Sequence, residues 1–289
     1  ARFFGASDGA DVFFLANKIP NFMRRLFAEG AFNQAFVPIL SEYRSQRDFT
    51  AVKNLIAATA ASLGGTLLLL STIVIVGAPF FAIVIANGYV DEPAKFDLFV
   101  SMLRITFPYL FLVSMTSLCG AVLNSYGKFA VPAITPAFLN LSLIGAAIVL
   151  SPLLSTPELA LAWGVLVAGV AQLFFQLPFL ARIRLLALPK REPSNAGLIR
   201  IKKLIIPALF GVSVSQINLL FDTLIASFLV SGSVSWLYFS DRLMELPLGI
   251  FGVALGIAVL PSLSRRHAEN SVVEFAKTLD WALRLVLLV

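Results

Sequence analysis

Long apolar blocks alternate along this chain with short polar breaks, most of them basic. No charged residue occurs in 54–90, 105–127, 129–157 or 159–181. A helix needs about 20 residues to cross the hydrocarbon core of a bilayer, and each block is long enough. A transmembrane barrel would instead show alternating segments of about ten residues. Backbone groups in lipid must be satisfied within their own segment, so the blocks predict helices. The pattern gives eight spans, at 8–41, 54–87, 97–124, 132–152, 158–183, 204–230, 233–262 and a last one from about 276 that is unfinished at Val289. Asn87-Gly88, Asp91-Glu92-Pro93, Tyr126-Gly127, Ser155-Thr156-Pro157 and Ser231-Gly232-Ser233 supply the turns between them.

Composition strengthens this reading. Of 289 residues, 58% are hydrophobic and 13% charged, against about 25% charged in a soluble domain. So few charges could not cover a water-facing surface, and a soluble enzyme is excluded. The net charge of +6 would point to nucleic acid in a soluble protein. Here it follows from the loops. Those at 43–53, 124–132, 182–203 and 264–277 hold 14 Lys and Arg; the start to Ala10 and the loops at 87–97, 151–158 and 230–235 hold only Arg2 and Lys95. The asymmetry keeps register with every span, so the first set is predicted to be cytoplasmic. The single Cys119 and single His267 leave no internal disulfide and no expected metal site. No cleavable leader is recognised. Both ends look cut, so a longer protein is expected.

Ionisable residues inside spans carry the functional signal, because they are expensive there and mark cavities and transport paths. The first span holds Asp11, Asn17, Lys18, Asn21, Arg24, Arg25 and Glu29, with Pro20 among them. Asn17, Asn21 and Arg24 share one helix face. Asp11, Lys18 and Arg25 form a second stripe at intervals of seven. Such a helix should line a polar cavity; the rival reading is internal pairing, or snorkelling of an arginine to the interface. The seventh span carries Asp241, Arg242 and Glu245, with Arg242 and Glu245 spaced to pair. Asp222 is a lone carboxylate in the sixth span, a candidate for a cation or proton. Arg104 reads as interfacial. No nucleophilic triad, phosphate loop or metal motif appears.

Three segments resemble the MurJ (MviN) family of bacterial lipid II flippases. They are KIPNFMRRLFAEGAFNQAFVPILSEY, ITFPYLFLVSMTSLCGAVLNSYGKFAVPAITPAFLN and GVSVSQINLLFDTLIASFLVSGSVSWLYFSDRLMELPLGIFGVALG. The resemblance runs in order along essentially the whole chain. It implies an all-α integral membrane protein, a multi-spanning helical bundle of the two-lobed multidrug/oligosaccharidyl-lipid/polysaccharide exporter type, with the second lobe incomplete here. The amino-terminal lobe would be 1–184, a basic cytoplasmic linker 185–203, and the start of the second lobe 204–289.

The family's cavity arginine before FAEGAF corresponds to Arg24 and its essential aspartate to Asp11. Its DRLME arginine and glutamate correspond to Arg242 and Glu245, and the polar position before the tryptophan to Ser235. Asn21 and Ala1 match positions associated with the transport path, and Arg25 belongs to the same polar helix. Two further arginines of the family lie in a first helix that this chain lacks. Some members bind sodium through a carboxylate that Asp222 would match.

The expected function is therefore a transporter rather than an enzyme. It would flip undecaprenyl-diphosphate-linked peptidoglycan precursor across the bacterial inner membrane by alternating access. It would need no cofactor, and sodium or proton coupling is a candidate energy source; membrane lipids and lipid II would be its partners, with no nucleic acid, and its state would be monomeric. The rivals are an exporter of drugs or another lipid-linked glycan, and a membrane-embedded polyprenyl-phosphate enzyme.

Overall fold

The computed structural model describes residues 5, 7–25, 31–247 and 272–288. Ala1, Glu29, His267, the predicted seventh span beyond 247 and the loop from 264 to 271 lie outside them. The described residues form helices and connecting turns, with no strand among them. Two compact units divide the chain, Ala1–Ser235 and Trp236–Val289.

The first unit opens with α1 (Asp8–Arg24), whose first turn is capped by the Ser7 hydroxyl accepting from the Ala10 N–H at 3.3 Å. α2 (Ala31–Gln46) follows, so the predicted first span is two helices flanking residues 26–30. Asp48 caps α3 (Phe49–Val76), and α4 (Ala78–Ile85) continues it after Gly77. α5 (Pro93–Thr106) and α6 (Tyr109–Ser125) divide the next apolar run at Pro108. α7 (Ala130–Ile134) and α8 (Ala137–Gly145) divide the following one at Pro136. Proline lacks the N–H that would continue the ladder, so hydropathy runs on where hydrogen bonding changes. α9 (Leu159–Arg182) is one continuous apolar helix. Four stretches are long and apolar enough to cross a membrane: Phe49–Val76, Pro93–Ser125, Ala130–Leu153 and Leu159–Arg182.

The core of this unit is built around α2. Phe32 and Phe36 stack with ring centroids 5.0 Å apart, and with Leu40 they pack among Leu55, Leu118, Val122 and Leu180 of α3, α6 and α9. Lipid is as apolar as these side chains, so van der Waals packing rather than water exclusion holds the helices together. Leu68, Leu69, Ile73 and Val76 of α3 remain exposed, as a lipid-facing stripe requires.

α10 (Ala196–Ala226) starts where the Asn195 side chain accepts from the Leu198 N–H at 3.1 Å. The last eight residues of the predicted linker 185–203 are thus helical, and its first residue, Leu185, is wholly buried. The start of α10 packs on the end of α2. A Cβ at Gly197 would lie 2.7 Å from Leu55 Cδ1 and 2.8 Å from Tyr43 Oη. Arg200 closes the contact with both guanidinium nitrogens 2.7 Å from the Glu42 carboxylate. Nearby, the Arg44 guanidinium sits over the Tyr126 ring at 5.3 Å. At the opposite end of the unit meet the start of α1, the turn before α5 and the turn after α10, where Lys95 pairs with Asp8 at 3.0 Å. The two ends match the two sets of loops separated by charge.

α11 (Ser233–Pro247) begins in the first unit and runs into the second. The second unit also contains α12 (Val272–Leu288), where Arg284 and Asp280 pair at 2.9 Å.

Gly197→Val should lower stability by about 1–3 kcal/mol, the usual cost of overpacking, read as an earlier unfolding midpoint in detergent. Arg200 holds the Glu42 carboxyl below its ordinary range through their hydrogen bonds. The pair's contribution should therefore be complete above the ordinary carboxylate pKa and vanish as pH falls through the lowered one. The midpoint difference between the parent and Glu42→Gln, followed from about pH 7 to pH 3, checks this. It should be small and shrink in high salt, because the pair is exposed.

Candidate functional site

Asp11 lies in the first turn of α1 and is 5% exposed. Its partners come from the chain more than 200 residues away. Oδ2 accepts from the Gly232 N–H at 2.7 Å, and Oδ1 accepts from the Ser235 N–H at 2.8 Å and from the Ser235 hydroxyl. Gly232 and Ser235 stand at the cap and third position of α11. The first N–H groups of a helix have no partner within it, and a nearby side-chain oxygen ordinarily satisfies them. Here α1 supplies that oxygen in trans, and it is charged. Hydrogen bonds to charged groups contribute about 1.5–3 kcal/mol each, and the positive end of the α11 dipole adds to them.

Several contacts surround this cap. Asp8, one turn earlier, accepts from the Ser231 hydroxyl and pairs with Lys95, which also meets Glu92 Oε2 at 2.8 Å. The Gly88 backbone presses against Ser227, so closely that a Cβ there would overlap the Ser227 carbonyl. Between these groups is a cavity of about 310 Å³, with Asp11, Tyr89, Glu92, Lys95 and the 226–231 segment in its wall.

Farther along α1, Arg24 Nε donates to Asn21 Oδ1 at 3.2 Å, and both side chains are half-buried. Two residues of the predicted polar face are thus hydrogen-bonded to each other, and Asn21 orients the guanidinium. Arg25 is also half-buried; its backbone N–H donates to the Asn21 and Phe22 carbonyls. In the second unit, Arg242 Nη1 donates to Glu245 Oε2 at 2.8 Å, Nε donates to Tyr238 Oη at 3.3 Å, and the guanidinium stacks over the Tyr238 ring at 5.2 Å. Asp222 stands exposed on α10. Arg104 is exposed and donates to the Ile75 carbonyl at 3.3 Å.

Six of the eight predicted site residues thus form three hydrogen-bonded pairs: Asp11 with Ser235, Asn21 with Arg24, Arg242 with Glu245. Arg25 and Asp222 fall outside these pairs. Asp8, Glu92, Lys95, Ser231 and Tyr238 were not singled out by the sequence. Lys95 carried a usable signal as a rare cation in the loops poor in basic residues, and Tyr238 as the aromatic one turn before Arg242.

Fold and apolar helices together define a multi-pass helical membrane protein. The chain belongs to the MurJ family: the model described as "Lipid II flippase MurJ" matches residues 1–289. The "Probable lipid II flippase MurJ" of Vibrio cholerae is 49% identical over 293 residues, covering 99% of this chain and 56% of that protein. The "Lipid II flippase MurJ" of Burkholderia cenocepacia is 44% identical over 292 residues, covering 100% of this chain and 57% of that protein. This chain therefore spans a little over half the length of these relatives. Among solved structures, "Lipid II flippase MurJ, inward closed conformation" superposes with a TM-score of 0.80 at 24% identity, over 98% of this chain and 58% of that one. This match establishes the fold.

Asp11→Ala should leave the Gly232 and Ser235 N–H groups without their acceptor. Amide hydrogen exchange across 230–236 should then accelerate at least about tenfold, the equivalent of losing one charge-assisted bond. Exchange in the Glu42–Arg200 region should be unchanged.

Proposed function

We propose that the complete protein is a lipid II flippase. It carries the undecaprenyl-diphosphate-linked peptidoglycan precursor from the cytoplasmic to the outer leaflet of the bacterial inner membrane. Family membership gives the substrate class, since the relatives named above carry that name. The observation that carries the mechanism is the half-buried Arg24, held by Asn21 within the polar face of α1. A guanidinium never loses its proton in a protein, and its planar fork matches a phosphate edge with two charge-assisted hydrogen bonds. A diphosphate headgroup supplies the anion that makes such a residue useful at membrane depth. Arg242, oriented by Tyr238 and Glu245, offers a second fork. The prenyl tail stays in lipid while the headgroup moves.

Sidedness follows from the loops. The end bearing Glu42, Arg44 and Arg200 belongs to the basic set and faces the cytoplasm. The end bearing Asp11, Lys95 and Ser231 faces outward, so the Asp11 cap is a closure of the outer side. Alternating access then requires this cap to break when the headgroup leaves outward. In this reading residues 1–184 form the amino-terminal lobe, 185–203 link it to the next, and 204–289 begin the second. Asp222, exposed on α10, is the carboxylate at which sodium or proton coupling would be sought.

Tested in the full-length protein, Arg24→Ala and Arg242→Ala should each reduce precursor export at least about tenfold, the worth of a charge-assisted hydrogen bond, while leaving the protein inserted. Normal export by both variants in a translocation assay would overturn the arginine role.

A further inference from the structure

Outer closure has a second layer above the Asp11 cap. Resting on the flippase reading just given, we infer that Lys95 is the positioning residue of that closure: with Asp8 and Glu92 it forms a charged strap across the mouth of the 310 Å³ cavity, and the strap sets how readily the turn after α10 leaves the rest of the first unit.

The ammonium joins α5 directly to α1 and, through Asp8, to the turn after α10. Lys95 Nζ is 3.0 Å from Asp8 Oδ1 and 2.8 Å from Glu92 Oε2, and its side chain is 17% exposed. Asp8 in turn accepts from the Ser231 hydroxyl, so the lysine reaches the mobile partner of the proposed cycle through a single carboxylate. Asp8 and Asp11 are three residues apart on α1 and lie on one face. Both therefore bind the same short segment, Asp8 at Ser231 and Asp11 at Gly232 and Ser235.

Charge balance explains why the strap must be cationic. Lys95 is the one basic side chain in the wall of the cavity, which also holds the Asp11 and Glu92 carboxylates. The last carbonyls of α10 add the negative end of a helix dipole nearby. Without the ammonium, like charges face one another across the seam that closure must hold shut. Behind the strap, Tyr89 is 5% exposed and its hydroxyl has no hydrogen-bond partner among the described residues. A buried hydroxyl in a polar space of this size is suited to ordered water. The strap therefore covers a polar space that lies beside the close backbone contact of Gly88 with Ser227.

Cysteine accessibility in the full-length protein tests this without substrate or transport. Ser227 lines the cavity, is 4% exposed, and its hydroxyl donates to the Leu224 carbonyl of its own helix turn. Ser227→Cys, in a background with the other cysteines changed to serine, reports opening through its rate of reaction with a membrane-impermeant maleimide added outside. Lys95→Ala should raise that rate at least tenfold and Lys95→Glu further. Lys95→Arg should restore the parent rate, and Asp8→Asn combined with Lys95→Ala should be no faster than the faster single change. If Lys95→Ala fails to reach the membrane, Lys95→Gln carries the same test. A rate within twofold of the parent for the neutral variants, equal acceleration by Lys95→Arg, or rapid labelling with Lys95 intact would each overturn the inference. Loss of precursor export by the arginine variants tests the flippase reading separately, so the two can fail independently.

Discussion

A carboxylate almost wholly removed from solvent must find hydrogen-bond donors, and the placement of Asp11 follows from that constraint. A carboxylate taken out of water costs free energy unless it is hydrogen-bonded. Asp11 offsets its cost with three donors from one short segment, two of them backbone N–H groups that the start of α11 cannot satisfy internally. Each partner answers the other's deficit. Hydrogen bonds to a charged group contribute about 1.5–3 kcal/mol apiece, so this one contact fixes the start of α11 against α1.

Local partners also hold the guanidinium groups of α1 and α11. Arg24 is held by Asn21, and Arg242 by Glu245 and Tyr238. The partners fix the geometry of the guanidinium groups. Orientation by short local partners is what a binding residue requires, because a side chain already held in place loses less freedom when its ligand arrives. The opposite end of the first unit is built differently. There Glu42, Arg200, Arg44 and Tyr126 join exposed charges over a tight apolar contact at Gly197, which suits a fixed joint.

Much of this was legible in the sequence because hydropathy and charge are decided locally. Charge-free runs located the four helical stretches long enough to cross a bilayer, and the loop asymmetry separated the two ends that the structure brings together. Family resemblance singled out Asp11 and Ser235, although nothing in either segment showed that they touch. Helix breaks were harder to see. Pro108 and Pro136 interrupt hydrogen bonding without interrupting the apolar pattern, and Asn195 starts α10 inside what reads as a basic linker. Lys95 and Asp8 were passed over because each sits at the start of a helix beside a polar break, where a charge needs no explanation until its distant partner is known. Their meaning depends on a contact between residues 8, 95 and 231 that no local pattern encodes.

The most direct test is a binding comparison with the purified full-length protein. A polyprenyl-linked glycan joined through a diphosphate is set against the same lipid with an uncharged linkage, with Arg24 intact and with Arg24→Gln. The diphosphate lipid should bind at least about tenfold more tightly, the worth of one charge-assisted hydrogen bond, and the preference should collapse with the glutamine. Equal affinity for both lipids, or a preference that survives Arg24→Gln unchanged, would contradict a role for the intramembrane guanidinium in holding an anionic headgroup.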